Sequence, residues 1–291
     1  MRLASFLNAG KPGFGVVTDE GVIDLGAAFG GRLPSLKSVL AADALDEAAR
    51  LARGRKPDLA TGAVSWLPVI PDPGKIWCCG LNYGEHVRET GNTESEKPTF
   101  FMRFADSQVG HEQEMPRPCE SEKFDYEGEI AIVIGKGGRR IDEAQALQHV
   151  AGYACYNDGS IRDWQRHTSQ FAPGKNFVGT GAFGPWMVTT DEIPDISKQT
   201  IATRLNGVEV QAAPISDLVF DVPALIAYCS TFTELVPGDV IVTGTTGGVG
   251  AYRTPPLWMK DGDVVEVEVS GIGVLRNPVR DEVAAAATRA A

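Results

Sequence analysis

The sequence predicts a mostly β fold with peripheral helices, of the α+β class. Predicted strands far outnumber predicted helices along the 291 residues, and the helices do not alternate with the strands as they would in a doubly wound sheet. The 33 glycines and 18 prolines indicate many turns between short strands. A proline-rich segment at 67–74 predicts a boundary between a small N-terminal domain, residues 1–70, and a larger domain, residues 71–291.

The smaller domain is predicted to mix strands and helices. Two short strands, at 16–17 and 22–25, flank a turn at 18–21. Two helices follow, over 34–40 and 45–52, and the second repeats apolar residues at helical spacing before a glycine.

The larger domain is predicted to be rich in strands. We expect strands at 76–79, 99–103, 127–134, 152–157, 186–189, 200–205, 239–243 and 264–269, and helices at 83–90, 141–149 and 222–232. Asn206–Gly207 is the dipeptide of a type I′ turn, which predicts a hairpin. The alanine-rich segment 284–291 predicts a fraying tail.

Charge and composition exclude several function classes. The chain has 27 Lys and Arg against 38 Asp and Glu, a net charge of −11. Because an acidic chain repels phosphate groups, we expect binding neither to nucleic acid nor to anionic membranes. No apolar run approaches the roughly 18 residues of a membrane helix. Five cysteines without a CxxC spacing predict reduced thiols, and hence a cytoplasmic protein without a signal peptide.

Two glycine-rich segments, 179–184 and 244–250, resemble phosphate-binding loops only in part. The first matches GxGxxG, but proline and β-prone residues follow it where a nucleotide-binding helix should begin. The second lacks the GK[ST] of a phosphate loop and predicts instead a tight backbone wall beside a ligand.

Acidic residues at strand spacing indicate a possible metal site. Glu127 and Glu129 share one face of a predicted strand, with Cα atoms roughly 6.5 to 7 Å apart. A hard divalent cation between them would relieve their repulsion. The spacing alone nevertheless favours a solvated strand face, which Glu266 and Glu268 also fit. Gly128 between the first pair indicates that something approaches the backbone closely. Asp158, in a turn after a predicted strand, could supply a third carboxylate or only form the turn.

His86 and Glu89 lie three residues apart on a predicted helix. At that spacing they are neighbours, so Glu89 could orient the imidazole of His86 and raise its basicity. Such a pair is a recurring general base, although an exposed surface histidine fits the same pattern.

Five segments, taken together, resemble the fumarylacetoacetate hydrolase family. They are GLNYGEH at 80–86, DYEGEIAIVIG at 125–135, NDGSIRDWQ at 157–165, GDVIVTGT at 238–245 and GIGVLRNP at 271–278. They occur in the order that the family has and cover about residues 75–279. The resemblance implies a β-roll with a small N-terminal domain, usually a homodimer, that binds one Mg²⁺, Mn²⁺ or Ca²⁺ ion per subunit.

The resemblance also implies a set of site residues. The metal ligands would be Glu127, Glu129 and Asp158, and the catalytic residues His86, Glu89 and Lys175. Substrate contacts would come from Tyr83, Arg103, Arg162, Gln165 and Thr245. The chain departs from the family at Arg103, where many members have lysine, and at Thr246–Gly247, where many have Pro-Ala; both departures leave the exact substrate open.

The family's reactions share one chemistry, in which a metal ion binds the carboxylate and 2-oxo group of a small acid and stabilises an enolate. The resemblance therefore implies a metal-dependent hydrolase that cleaves a C–C bond in a 2,4-dioxo acid, such as an acylpyruvate or fumarylpyruvate, and releases pyruvate in aromatic compound catabolism. The alternative is a decarboxylase or isomerase acting on a 2-oxo acid at the same site. A binding protein without catalysis is a third possibility, but it should lack a carboxylate or the base.

Overall fold

The computed structural model describes residues 1–283, and the predicted tail at 284–291 lies outside the described residues. The described chain is built mainly of short β-strands, which confirms the predicted class. The strands are β1 (Arg2–Asn8), β2 (Lys11–Thr18), β3 (Gly21–Asp24), β4 (Val64–Trp66), β5 (Ile76–Gly80), β6 (Thr99–Arg103), β7 (Gln108–Val109), β8 (Met115–Arg117), β9 (Phe124–Asp125), β10 (Gly128–Ile134), β11 (Val150–Asn157), β12 (Ser160–Ile161), β13 (Gly181–Thr189), β14 (Thr200–Leu205), β15 (Val208–Pro214), β16 (Val240–Val242), β17 (Val264–Val269) and β18 (Gly273–Asp281).

Helices of the described chain are short and lie around the strands. The α-helices are α1 (Leu25–Ala28), α2 (Leu36–Ala41), α3 (Leu45–Ala52), α4 (Gly84–Glu89), α5 (Arg162–Gln165), α6 (Ala172–Lys175) and α7 (Val222–Phe232), and 3₁₀ turns cover Thr61–Ala63, Ala105–Ser107, Glu143–His149, Ile196–Lys198, Ile215–Asp217 and Gly250–Tyr252. The helix predicted at 141–149 is therefore a 3₁₀ helix, begun by the Asp142 side chain, which accepts a hydrogen bond from the Ala144 amide. In the described part of the chain, no helix has the length and apolar character needed to span a membrane.

A large mixed sheet forms the centre of the fold. Its strand order is β3-β2-β1-β13-β11-β10-β16-β5-β6, with β4 paired to β1 and β7 paired to β13. A second sheet has the order β15-β14-β17-β18-β8, and β9 pairs with β12. Because β1 pairs with β13, strands from both sides of residue 70 share one sheet. The domain boundary near residue 70 stays a prediction, and such a boundary would have to cross this sheet.

Strand β10 is buried on both faces, which fixes the direction of every side chain along it. Ile130 and Ile132 pack into a core shared with Val267 of the second sheet. Ala131 and Val133 pack into another core, which includes residues of α2 and α3. Because successive residues of a strand face opposite ways, the side chains at 127 and 129 share the second face.

Gly128 lies where β10 touches the second sheet. A Cβ atom added to Gly128 would lie 2.0 Å from Thr203 Oγ1 and 3.4 Å from Val267 Cγ1. The close approach expected at this glycine is confirmed, and the approaching group is Thr203 of β14. The second sheet thus supports β10 directly beneath the two glutamates that flank Gly128.

Candidate active site

Three carboxylates meet at the end of β10. Glu127 precedes this strand, Glu129 lies in it, and Asp158 follows β11. Pairing of β10 with β11 sets Gly128 opposite Asn157, and the Asp158 amide donates to the Glu127 carbonyl oxygen at 2.8 Å. All three side chains are buried, and one oxygen from each lies within 4.8 Å of the other two.

The second pair with the same spacing has a different environment. Glu266 and Glu268 are partly exposed, and Arg204 lies 3.5 Å from the first and 2.5 Å from the second. The solvated-face interpretation therefore holds for Glu266 and Glu268 but not for Glu127 and Glu129, although the spacing alone does not distinguish them.

Buried cations compensate two of the three carboxylates. Lys175 Nζ lies 2.5 Å from Glu127 Oε2 and 2.7 Å from Asp158 Oδ2. Arg103 Nη1 lies 2.6 Å from Asp158 Oδ1, and Arg162 Nη2 lies 2.7 Å from Glu127 Oε1. Burial favours the neutral form of Glu127, but the charges of Arg162 and Lys175 outweigh it and hold the pKa of Glu127 well below its ordinary value.

Glu129 is the carboxylate without a cation. Its Oε2 accepts a hydrogen bond from the Gly244 amide at 2.6 Å, and no basic side chain in residues 1–283 lies within 4.0 Å of it. Burial, together with the charges of Asp158 and Glu127, raises the pKa of Glu129 well above its ordinary value. The cluster therefore retains one buried carboxylate whose ionised form needs a further positive charge.

This donor set fits a hard divalent cation. Three carboxylate oxygens converge, and Mg²⁺, Mn²⁺ and Ca²⁺ prefer oxygen ligands. The group contains neither a thiolate nor an imidazole, which structural zinc sites use. The predicted ligands Glu127, Glu129 and Asp158 are thus brought together, and a bound cation would compensate Glu129.

Arg162 is held by several acceptors. Its Nε donates to Asp125 Oδ2 at 2.8 Å, and its Nη1 donates to Gln165 Oε1 at 2.9 Å. Asp125 is fully buried and also accepts the Gly250 amide at 2.8 Å. Asp125 begins the DYEGE segment, but no pattern in the sequence predicts a role for it. The structure shows that it orients Arg162.

His86 and Glu89 pair along α4. His86 Nδ1 lies 2.7 Å from Glu89 Oε1, and the Gly248 amide donates to Glu89 Oε2 at 2.9 Å. An ionised Glu89 favours the tautomer that carries its proton on Nδ1, which leaves Nε2 able to accept a proton. No hydrogen bond of the described residues uses that Nε2. The surface-histidine alternative fails, because His86 is only 6% exposed and lines the same cavity as Glu127 and Glu129.

The glycine-rich segment 244–250 donates its backbone to this site. Its amides at positions 244, 248 and 250 bind Glu129, Glu89 and Asp125 at 2.6, 2.9 and 2.8 Å. Thr245, in the same segment, donates to the Gly128 carbonyl oxygen at 2.9 Å and lines the cavity. The segment predicted as a backbone wall thus forms a row of amide donors to the carboxylates of Glu129, Glu89 and Asp125.

A cavity of about 170 Å³ lies beside the cluster. It is smaller than the roughly 300–1,000 Å³ of typical sites for drug-sized ligands, which favours a small substrate. Predicted residues that line it are His86, Glu127, Glu129, Arg162, Gln165, Lys175 and Thr245.

Two predicted substrate contacts lie behind the cavity wall. Arg103 and Tyr83 are each only 2% exposed, and neither lines the cavity. Arg103 binds Asp158 and also donates to Thr180 Oγ1 at 3.0 Å. The geometry therefore corrects both predictions: Arg103 fixes Asp158 from behind, and Tyr83 is a core residue next to α4.

Several lining residues were not predicted. Phe101 and Phe171 form an apolar part of the wall, and Arg166 and Tyr252 lie at its rim. Arg166 directly follows Gln165, and Tyr252 follows the glycine-rich segment by two residues. Their position next to motifs was the one indication that the sequence offered.

The fold and the site define a class of enzyme in which a buried carboxylate cluster, suited to a divalent cation, shares a small cavity with a histidine–carboxylate pair. The sequence profile described as "Fumarylacetoacetate (FAA) hydrolase C-terminal" matches residues 75–280. The chain therefore belongs to the fumarylacetoacetate hydrolase family, as its motifs predict.

Relatives in this family carry out different reactions. The mitochondrial oxaloacetate tautomerase fahd2 of Xenopus laevis is 38% identical over 288 residues, which are 96% of this chain and 90% of the relative. The fumarylacetoacetate hydrolase EaFAH of Exiguobacterium antarcticum has a similar structure, with a TM-score of 0.83, 32% identity, and coverage of 97% of this chain and 100% of the other. A maleylpyruvate hydrolase of Sphingobium sp. SYK-6, solved with manganese(II) and pyruvate, has a TM-score of 0.81 and 27% identity over 97% and 100% of the two chains.

Proposed function

We propose that this protein is a divalent-metal-dependent enzyme that interconverts the keto and enol forms of a small 2-oxo acid, and that oxaloacetate is a substrate. The observation that carries the proposal is the shared cavity, which His86 lines together with two carboxylates of the metal-binding cluster. The long similarity to the Xenopus tautomerase supports the choice of reaction.

The carboxylates Glu127, Glu129 and Asp158 would hold the cation, Mg²⁺ or Mn²⁺. When bound, the ion would polarise the 2-oxo group and stabilise the negative charge that develops as a proton leaves carbon 3.

His86 is the group that moves the proton. Its Nε2 takes a proton from carbon 3 of the keto form and returns one to the 2-oxygen, and the reverse transfers restore the keto form. Glu89 accepts the Nδ1 hydrogen bond and stabilises the charged imidazole between the two transfers.

Lys175 serves as a fixed positive charge. Burial alone would lower its pKa, but the charges of Asp158 and Glu127 outweigh burial and raise the pKa. Lys175 would offset negative charge that develops on the substrate, and Arg162 would do the same beside it.

Hydrolysis of a C–C bond in a 2,4-dioxo acid is the second candidate, and it ranks first from the sequence alone. The same His86 Nε2 could instead take a proton from water, which would attack the distant carbonyl group of an acylpyruvate. The maleylpyruvate hydrolase with a similar fold favours keeping this candidate. The homodimer implied by the family resemblance stays a prediction.

Two assays on one preparation test the proposal. Decay of the enol absorbance of oxaloacetate follows tautomerisation, and pyruvate release from acetylpyruvate, fumarylpyruvate and oxaloacetate follows hydrolysis and decarboxylation. We expect rapid enol decay that needs Mg²⁺ or Mn²⁺ and stops with EDTA. If the protein releases pyruvate from the acylpyruvates but does not accelerate enol decay, the hydrolase function replaces the tautomerase function. Activity that survives EDTA would contradict both.

A further inference from the structure

Arg166 differs from the other basic residues of the cavity wall. Arg162 and Lys175 lie within 2.8 Å of carboxylates and are buried. Arg166 is exposed, lines the same cavity, and has no carboxylate within 4.0 Å among residues 1–283. Its positive charge is therefore available to a ligand.

Tyr252 orients this charge without neutralising it. Arg166 Nη2 donates to the Tyr252 hydroxyl at 3.0 Å, and the guanidinium carbon lies 5.4 Å from the centre of the tyrosine ring. A cation held over an aromatic face keeps its charge for another partner. Arg166 also directly follows α5, which carries Arg162 and Gln165, so its backbone is fixed relative to the carboxylate cluster.

The wall between the cluster and the rim is apolar on one side. Phe101 and Phe171 both line the cavity and pack edge to face, with ring centres 5.8 Å apart. Among residues 1–283, the cavity lining thus combines buried charged side chains, two packed aromatic rings and one exposed cation without a carboxylate partner. A ligand that matches these features carries anionic groups at two ends of a short carbon chain.

We propose that Arg166 binds the second carboxylate of the substrate, and that the enzyme selects dicarboxylic over monocarboxylic 2-oxo acids. The inference rests on the proposed function for the other end of the substrate, whose carboxylate and 2-oxo group belong at the metal-binding cluster. Arg166 is then a specificity-determining residue, since it touches the part of the substrate that does not react.

Two stable acids allow binding to be measured separately from turnover. Malate and 2-hydroxybutyrate have the same four-carbon chain and the same 2-hydroxy acid head, but only malate has a second carboxylate. Their dissociation constants for the full chain with saturating Mn²⁺ are measured by titration calorimetry. We expect the wild-type protein to bind malate about tenfold more tightly, the lower end of what a charge-assisted hydrogen bond contributes, because Arg166 is exposed.

The test variant is Arg166→Gln, and Arg32→Gln is the matched control. Arg32 is also exposed and lies 5.5 Å from the Phe29 ring, but it does not line the cavity. We expect Arg166→Gln to weaken the binding of malate about tenfold and to leave the binding of 2-hydroxybutyrate unchanged. Arg32→Gln should change the affinity for neither acid. Arg166→Lys should retain part of the preference for malate. Added salt should weaken malate binding to the wild-type protein more than to Arg166→Gln.

The outcomes distinguish this inference from the proposed function. The role of Arg166 would be overturned if Arg166→Gln still preferred malate, or if this variant lost affinity for both acids equally. Equal effects of Arg32→Gln would also overturn it, because net charge would then explain the preference. If the preference depends on Arg166 but oxaloacetate is not tautomerised, the dicarboxylate site stands and the proposed reaction fails. If neither acid binds with Mn²⁺ present, both proposals fail.

Discussion

Replacing Glu129 by glutamine should impair metal binding without lowering the stability of the metal-free fold. The side chain keeps its shape, and its amide oxygen can still accept the Gly244 hydrogen bond. The change removes the one buried carboxylate of the cluster that lacks a cation. Without metal, Glu129→Gln should therefore be at least as stable as the wild-type protein. Glu127→Gln, the matched variant, should be less stable by about 1.5–3 kcal/mol, because Lys175 and Arg162 each lose one of two buried carboxylate partners and keep only Asp158 and Asp125.

Added metal should reverse this order. A cation present at a hundred times its dissociation constant stabilises the folded protein by about 2.7 kcal/mol. At roughly 2 °C per kcal/mol for a chain of this size, Mn²⁺ should raise the melting temperature of the wild-type protein by about 5 °C. Glu129→Gln should lose this increase, since one of three ligands is gone.

The pH dependence gives a second measurement in the same variant. Because burial raises the folded-state pKa of Glu129, its protonated form stabilises the fold. This contribution is complete below the ordinary pKa of 4.5 and is lost as the pH rises through the folded-state value. In EDTA, the wild-type protein should therefore lose stability relative to Glu129→Gln above about pH 4.5.

Thermal melts in EDTA and in Mn²⁺, at several pH values, check all three statements. A Glu129→Gln variant that melts well below the wild-type protein in EDTA would refute the uncompensated charge. An undiminished Mn²⁺ increase in this variant would refute Glu129 as a ligand.

Three further changes test other parts of the structure. His86→Ala should lower kcat for enol decay by about 10² to 10⁴ with little change in KM, as measured by steady-state kinetics, and an unchanged kcat would remove it as the base. Arg103→Met should lower the free energy of unfolding by about 1.5–3 kcal/mol in urea titrations, because Asp158 loses one of its two buried cations and keeps Lys175, and an unchanged value would contradict the importance of that pair. Gly128→Ala should be destabilised by about 1–3 kcal/mol or more in the same titration, whereas Gly62→Ala, which points into open space, should change by less than about 0.5 kcal/mol; equal effects would contradict the close packing.

The sequence predicts those strands whose apolar residues form a clear run or alternation. The buried run at 127–134 and the alternation at 264–269 correspond closely to β10 and β17. It does not predict β1, Arg2–Asn8, because the apolar residues of this stretch do not alternate regularly, although the Ala9–Gly10 turn joins it to β2. The pairing of β1 with β13 joins Arg2 to Val188, and no local pattern encodes a contact between residues so far apart in the chain.

The candidate site is predicted where residue type and spacing determine the geometry. His86 and Glu89 meet because three residues span one helical turn, and Asp158 joins Glu127 because paired strands end together. Whether a buried side chain reaches the cavity depends on the whole fold. The sequence alone therefore could not distinguish Arg103 from a residue that contacts the substrate. The partners of Asp125 belong to α5 and to the loop after β16, and only the folded chain brings them to it.

The row of amide donors at 244–250 has a consequence for how the site can vary. Main-chain atoms supply these bonds, but the three donor positions require glycine. A Cβ added at 244, 248 or 250 would lie within 3 Å of a neighbouring atom, and at 250 it would lie 2.6 Å from Asp125 Oδ1. No hydrogen bond of the described residues uses the amides of Thr246 or Gly247. A proline at 246, as in the family resemblance, would therefore cost the site no donor. The donors at 244, 248 and 250 are thus tied to glycine, whereas position 246 can change its residue type without loss of a hydrogen bond to a carboxylate.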